Sequence, residues 1–217
     1  MKNFTVLDVQ KHFPHAVART YSAGQIIIYH GDTPNHVMFI ESGAVKFYDT
    51  DTDGNEKIMH ISGAGGLIPL FYSFEDKPSV DAFYATITET KIWLVPITEF
   101  HNKLKTDAPY SFATLRRYAE ELDHIVLRLK SLEKSSAKQK ILQAFHYLGQ
   151  QHATRNRVSN EWYRINFPLT QQTLADMTGL TRETVNITLK DPDVLRVIRI
   201  KRHTFEINCH KISEALE

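Results

Sequence analysis

Apolar and polar positions change rhythm along this chain, and the changes mark its parts. Between Tyr21 and Pro96 the apolar residues come in short runs: Ile26-Ile27-Ile28, Val37-Met38-Phe39-Ile40, Val45-Lys46-Phe47-Tyr48, Ile58-Met59-His60-Ile61, Phe83-Tyr84-Ala85-Thr86-Ile87 and Ile92-Trp93-Leu94-Val95. Turn residues separate them, which predicts strands. The separators are Gly31-Asp32, Ser42-Gly43, Asp53-Gly54 and Gly63-Ala64-Gly65-Gly66. Asp53-Gly54 is a strong hairpin signal, because glycine takes positive φ at little cost. Short strands at even spacing suit a sandwich or closed roll. A short helix over residues 5–12 is expected to lead into it.

From Ile97 the period lengthens. Residues 97–105 predict a short helix, and Pro109 opens a long one. In it Leu115, Leu122 and Leu129 recur every seven residues, as do Tyr118, Ile125 and Leu132. Together they form an a/d seam with Arg116, Arg117, Glu120, Glu121, Asp123 and Arg128 outside it. A stripe of this kind can pack on its own domain; the charged flanks and the 3.5-residue spacing favour self-association as a two-fold pair. Ser135-Ser136-Ala137 reads as a hinge. Residues 138–151 predict a helix with Ile141, Leu142, Phe145 and Leu148 inward, and the polar stretch 152–164 a loop or short hairpin.

Residues 169–190 then read as two short helices around a tight turn. Thr170 is placed to cap the first, Leu174 and Met177 give it an apolar side, and Gly179 supplies the turn. Thr181 is placed to cap the second, with Glu183 in its first turn, where the helix dipole favours negative charge. At about 100° per residue, Val185, Thr188 and Leu189 fall on one side; Arg182, Glu183, Asn186 and Lys190 fall on the other. Those polar types suit base edges: arginine forks onto guanine, glutamate accepts from cytosine, asparagine pairs with adenine, and Lys190 can meet a phosphate. A solvated helix of mixed charge would show the same pattern. Pro192 is expected to end this helix early. Residues 197–207 predict a basic β-hairpin, with Lys201 and Arg202 near its tip, so the motif reads as a winged helix-turn-helix.

Composition narrows the choice. A chain of 217 residues with 42% hydrophobic and 24% charged residues has ample material for a core. The single cysteine, Cys209, excludes an internal disulfide framework and an all-cysteine iron–sulfur site. No apolar run is long enough to span a bilayer and no signal peptide opens the chain, so a cytoplasmic protein with no membrane partner is expected. The net charge of +1 is unevenly divided. Residues 1–133 hold 13 Lys/Arg and 17 Asp/Glu, whereas residues 134–217 hold 13 and 8. A basic second part fits contact with a polyanion.

The order of roll, seam helix and winged helix-turn-helix resembles the CRP/FNR family of dimeric bacterial transcription regulators. In the roll the resemblance rests on Tyr21-Ser22-Ala23-Gly24-Gln25-Ile26-Ile27, Gly31-Asp32, residues 38–45 and Asp53-Gly54. At the other end it rests on Leu174-Ala175 and on Thr178-Gly179-Leu180-Thr181-Arg182-Glu183-Thr184-Val185. It implies an α+β protein: a sensory β-roll (a double-stranded β-helix jelly roll) over 1–108, a dimerisation helix over 109–134, and a winged helix-turn-helix over 135–217. The implied partners are a second copy of the chain, a palindromic DNA operator with half-sites about one helical turn apart, and RNA polymerase if the protein activates. Arg182 and Glu183 would read bases, with Asn186 a third reader. Thr170, Gln172, Thr181, Lys190 and Arg202 would contact phosphates or flanking positions.

Two departures from the family pattern matter. Cyclic AMP binders carry Gly-Glu, then Arg and a small hydroxyl residue, where this chain has Pro69-Leu70 and Asp81-Ala82. A carboxylate in place of a phosphate-pairing arginine repels that ligand. No cofactor or metal site is expected; a different small effector could sit among Leu70, Phe71, Tyr72, Phe83 and Tyr84, which could equally be core. In the recognition helix, Ile187 stands where an arginine is frequent; it could touch a thymine methyl or not read DNA at all. A metal-dependent cupin-type enzyme, or a ligand-binding module without DNA, is the rival reading; there is no His-x-His, nucleophile motif or phosphate loop to support an enzyme.

Overall fold

Strand β3 (His36–Ser42) explains why its apolar run does not alternate with polar residues. Val37 and Phe39 point to one side and Met38 and Ile40 to the other, and all four are buried. A sheet covered on both faces needs both kinds of position to be apolar. The computed structural model describes residues 9–69, 71–74, 79–155, 161–201 and 204–216. They divide into two compact units: the residues up to Asp49 with His60–Leu122, and Thr50–Met59 with the residues from Asp123 onward.

In the first unit β3 pairs with β8 (Thr90–Pro96), which also pairs with β1 (Val17–Tyr21); β6 (Leu67–Ile68) adds to the far side, giving the order β1-β8-β3-β6. The second sheet has the order β2-β7-β4-β5, from β2 (Ile26–Ile28), β7 (Phe83–Thr86), β4 (Val45–Thr50) and β5 (Glu56–Ser62). Ile28, Met38, Ile40, Val45, Tyr84, Ile92 and Leu94 fill the space between the sheets. The outer face of the first sheet is covered by helices: α1 (Val9–His12) brings Val9, α2 (Ile97–Thr106) brings Phe100, and α3 (Ala108–Glu133) brings Tyr110 against Val37, Phe39, Leu67 and Val95. Of the leading helix expected over 5–12, the part before Val9 lies outside the described residues. At Ser42-Gly43 the backbone turns at φ +94°, and a Cβ on Gly43 would lie 2.6 Å from the Glu89 carbonyl oxygen.

Helix α3 begins where the Asp107 carboxylate accepts the Tyr110 N–H, an N-cap just ahead of Pro109. Its outward apolar stripe differs in phase from the predicted seam. Leu115, Leu122, Leu129 and Leu132 of that seam are exposed. Tyr118 instead packs edge-on against Phe74, ring centroids 4.4 Å apart, and Ile125 is half-buried. Phe112 and Val126 complete the exposed stripe, 67% and 50% exposed. Arg128, expected on the charged outer face, is also placed differently. It is 3% exposed, and its guanidinium donates to the Ile58 carbonyl at 2.9 Å and to Ser131 Oγ and the Met177 carbonyl. Burial pushes its pKa down to about 10.

In the second unit α4 (Ala137–His152) starts at Ser136, whose side chain accepts the Gln139 N–H. It is buried along Ile141–Phe145 and Tyr147–Gly149 and packs against α5 (Gln171–Thr178), α6 (Arg182–Thr188), α8 (Cys209–Leu216) and β10 (Tyr163–Ile165). The stretch 152–164 holds β9 (Ala153–Arg155) and β10 as an antiparallel pair. With β11 (Ile198–Lys201) and β12 (Thr204–Ile207) they form a sheet of order β11-β12-β10-β9. Pro192 does not truncate α6, which has already ended at Thr188. It sits at the start of an unforeseen helix, α7 (Pro192–Val197), capped by the Asp191 carboxylate.

Candidate nucleic-acid interface

The helix-turn-helix is held by local hydrogen bonds that its own residues supply. Thr170 Oγ1 accepts the Thr173 N–H at 2.9 Å and starts α5. Gly179 closes α5 at φ +67°, a left-handed conformation that disfavours any residue with a Cβ. Thr181 Oγ1 then accepts the Thr184 N–H at 3.1 Å and starts α6. Leu174, Ala175 and Met177 on α5, and Val185, Thr188 and Leu189 at α6, are buried. Arg182, Glu183, Ile187 and Lys190 are left exposed. Those four with Asn186 cover an arc of about 140° at 100° per residue, wide enough to face a groove.

The sequence-predicted site residues fall into three groups. Arg182, Glu183 and Lys190 carry open side chains on the outward arc. Thr170 and Thr181 sit at the helix starts with their hydroxyls already engaged as caps, and Gln172 Nε2 donates to Asp176 Oδ1 at 2.7 Å. Asn186 is half-buried and has a partner of its own: its Oδ1 accepts from Gln171 Nε2 at 3.3 Å. That oxygen has a second lone pair, so Gln171 orients the Asn186 amide while its N–H groups and the remaining lone pair stay able to meet a base edge. Gln171 was not singled out from the sequence, since its partner lies 15 residues away.

The wing adds a second basic surface. Glu206 is fully buried in β12, with Arg164 across the β10 pairing and Arg199 across the β11 pairing. Arg164 Nη2 lies 3.4 Å from Glu206 Oε1, and Lys201 Nζ lies 3.1 Å from Glu206 Oε2. Burial pushes the Glu206 carboxyl up, but hydrogen bonds and charge from Lys201 and Arg164 outweigh it and hold the pKa below the usual value. Arg199 stacks on the Trp162 ring, 3.7 Å from its centroid. Arg164 and Arg199 join Lys201 on this face only through strand register. Arg202 lies outside the described residues.

In the roll, Tyr72 and Tyr84 belong to the packed core, 7% and 2% exposed. The Tyr72 hydroxyl donates to Asp81 Oδ1 and accepts the Asp81 N–H at 3.1 Å. Phe83 is half-buried and stacks on Tyr48, and Phe71 begins a short 3-10 turn, Phe71–Ser73. Leu70 lies outside the described residues.

Residues 18–107 match the family model of the cyclic nucleotide-binding domain, and residues 139–210 match that of the Crp-like helix-turn-helix domain. The chain belongs to the CRP/FNR family of transcription regulators. Transcriptional activator protein FnrL of Cereibacter sphaeroides is 25% identical over 202 residues, covering 90% of this chain and 79% of FnrL. The cAMP-activated global transcriptional regulator Vfr of Pseudomonas aeruginosa is 21% identical over 202 residues, covering 92% of each. Among solved structures, a cyclic nucleotide-binding domain containing protein from Listeria monocytogenes EGD-e superposes with a TM-score of 0.79 at 16% identity over 98% of both chains. Family members of this kind are DNA-binding regulators, not enzymes, which sets the cupin-type alternative aside. Among the described residues no helix is long and apolar enough to cross a membrane.

Proposed function

We propose that two copies of this chain pair along α3 and that the pair reads a palindromic duplex through two copies of α6, activating transcription in the cytoplasm. One observation carries the pairing. Phe112, Leu115, Leu122, Val126, Leu129 and Leu132 stand on one helix, each at least 47% exposed. Isolated exposed apolar side chains are ordinary, whereas six along one stripe of one helix mark a surface that a partner covers. Spacings of three and four residues let an identical helix interdigitate with it. Full burial of each such side chain is worth about 1.5–3 kcal/mol, and two-fold symmetry counts every residue twice.

Leu122→Lys tests this by light scattering alongside operator titration. The wild type is expected as a dimer, and the variant as a monomer with operator affinity reduced at least about tenfold. A variant that stays dimeric, or a wild-type monomer with full affinity, refutes the pairing. On the same reading Arg182 and Glu183 meet base edges, while Lys190, Lys201 and Arg164 meet phosphates. Activation implies RNA polymerase as a protein partner, an output supported by the name of FnrL and tested by run-off transcription. Cyclic AMP is not the effector of the roll: Asp81 is a carboxylate already bonded to Tyr72, so any small regulatory ligand is of another kind. Calorimetric titration with cyclic AMP is expected to show no binding.

A further inference from the structure

Ile187 is the one exposed apolar residue on α6, at 65% exposure, while Val185 and Leu189 beside it are buried. Its neighbours on the outward arc are polar. Glu183 lies one turn before it, about 6 Å along the helix axis and about 40° around it. Asn186, adjacent in sequence, is tied back to Gln171. Ile187 therefore stands beside a carboxylate able to accept from cytosine N4, at an axial separation of between one and two base steps.

We infer that Ile187 is a specificity-determining residue that reads the 5-methyl group of a thymine one or two base pairs from the base contacted by Glu183. Three points carry this. The major groove offers one apolar feature, the thymine methyl, and an exposed branched aliphatic side chain on the outward arc is its complement. Isoleucine in a helix is held close to one χ1 rotamer, so little side-chain freedom is lost on contact. No buried neighbour needs the side chain: it is left in solvent by an element whose other apolar residue, Val185, is fully buried. The inference rests on the proposed DNA-binding role of α6.

The test uses the full-length protein. Duplexes enriched from a random pool define the operator, and each thymine in a half-site is then replaced singly by deoxyuridine, which removes only the methyl. Wild type, Ile187→Ser and Ile187→Val are titrated against each duplex. For wild type, one thymine per half-site is expected to lose about fourfold in affinity on demethylation, and about fifteenfold when both half-sites are changed. Ile187→Ser should bind the thymine and deoxyuridine duplexes equally, while keeping wild-type affinity for unrelated duplex DNA as a check on folding. Ile187→Val should retain part of the discrimination. If an operator is found but every deoxyuridine is neutral, or costs Ile187→Ser as much as wild type, the methyl-reading role is wrong while DNA recognition stands. If no duplex is enriched, both readings fall.

Discussion

Replacing Arg128 by methionine probes how a buried cation is held with no carboxylate among the bonds described for it. The side chain is 3% exposed and donates to two backbone carbonyls, Ile58 and Met177, and to Ser131 Oγ. Ile58 lies on β5, at the edge of its sheet. Met177 lies in the last turn of α5, whose dipole presents partial negative charge there. Methionine fills a similar volume and donates nothing. Each buried carbonyl left without a donor costs about 1–3 kcal/mol. Against that, the variant no longer has to keep a charge out of water, the penalty visible in the pKa lowered to about 10. The net expectation for Arg128→Met is a loss of about 2–4 kcal/mol in the second unit. Trp93 and Trp162 lie one in each unit, so urea unfolding followed by fluorescence in a Trp93→Phe background reports the second unit alone. Arg128→Lys, with a single ammonium in place of a planar fork, should fall between the two. Arg128→Met as stable as wild type, or more so, would mean that desolvation outweighs the three bonds and would refute this account.

Further outcomes follow from the same geometry. Gly43→Ala should destabilise the roll by about 3 kcal/mol or more, because φ +94° is strained for alanine and its Cβ would meet the Glu89 and Thr90 backbone; thermal melting checks it. Glu206 has a folded pKa below its ordinary value, so its contribution is complete above the unfolded carboxylate range and lost as pH falls through the lowered pKa. Urea midpoints for the winged unit should therefore drop on acidification below about pH 4, and Glu206→Gln should flatten that drop while costing about 1 kcal/mol at neutral pH, a modest figure because Lys201 and Arg164 are more than half exposed.

Much of the site could be read in the sequence because it is built from short-range chemistry. Thr170, Gly179 and Thr181 act on backbone groups within four residues, so residue type and spacing identify them as caps and turn. The apolar runs of β3 and β8 are equally legible, since both faces of that sheet are covered. Strand β1, Val17–Tyr21, carries no such signal: four of its five residues are exposed, and it pairs only along the edge of β8. Strand β6 has two residues and no pattern at all.

What remained hidden depends on partners distant along the chain. A leucine every seven residues is compatible with companions on either flank, and only the packing of Phe74 against Tyr118 decides that Phe112 and Val126 face outward instead. Arg128 reads as a surface charge until Ile58, 70 residues earlier, and Met177, 49 later, close over it. The sequence alone therefore determined the succession of short strands, long helix and helix-turn-helix, the caps of α5 and α6, and the outward chemistry of α6, because each follows from periodicity or from a hydrogen bond within one turn. Tertiary structure decided which face of α3 is bare, which cation is buried, and that Gln171 holds Asn186 while Glu206 gathers the cations of the wing. Those outcomes require contacts between elements, and no local pattern along the chain encodes which distant group arrives.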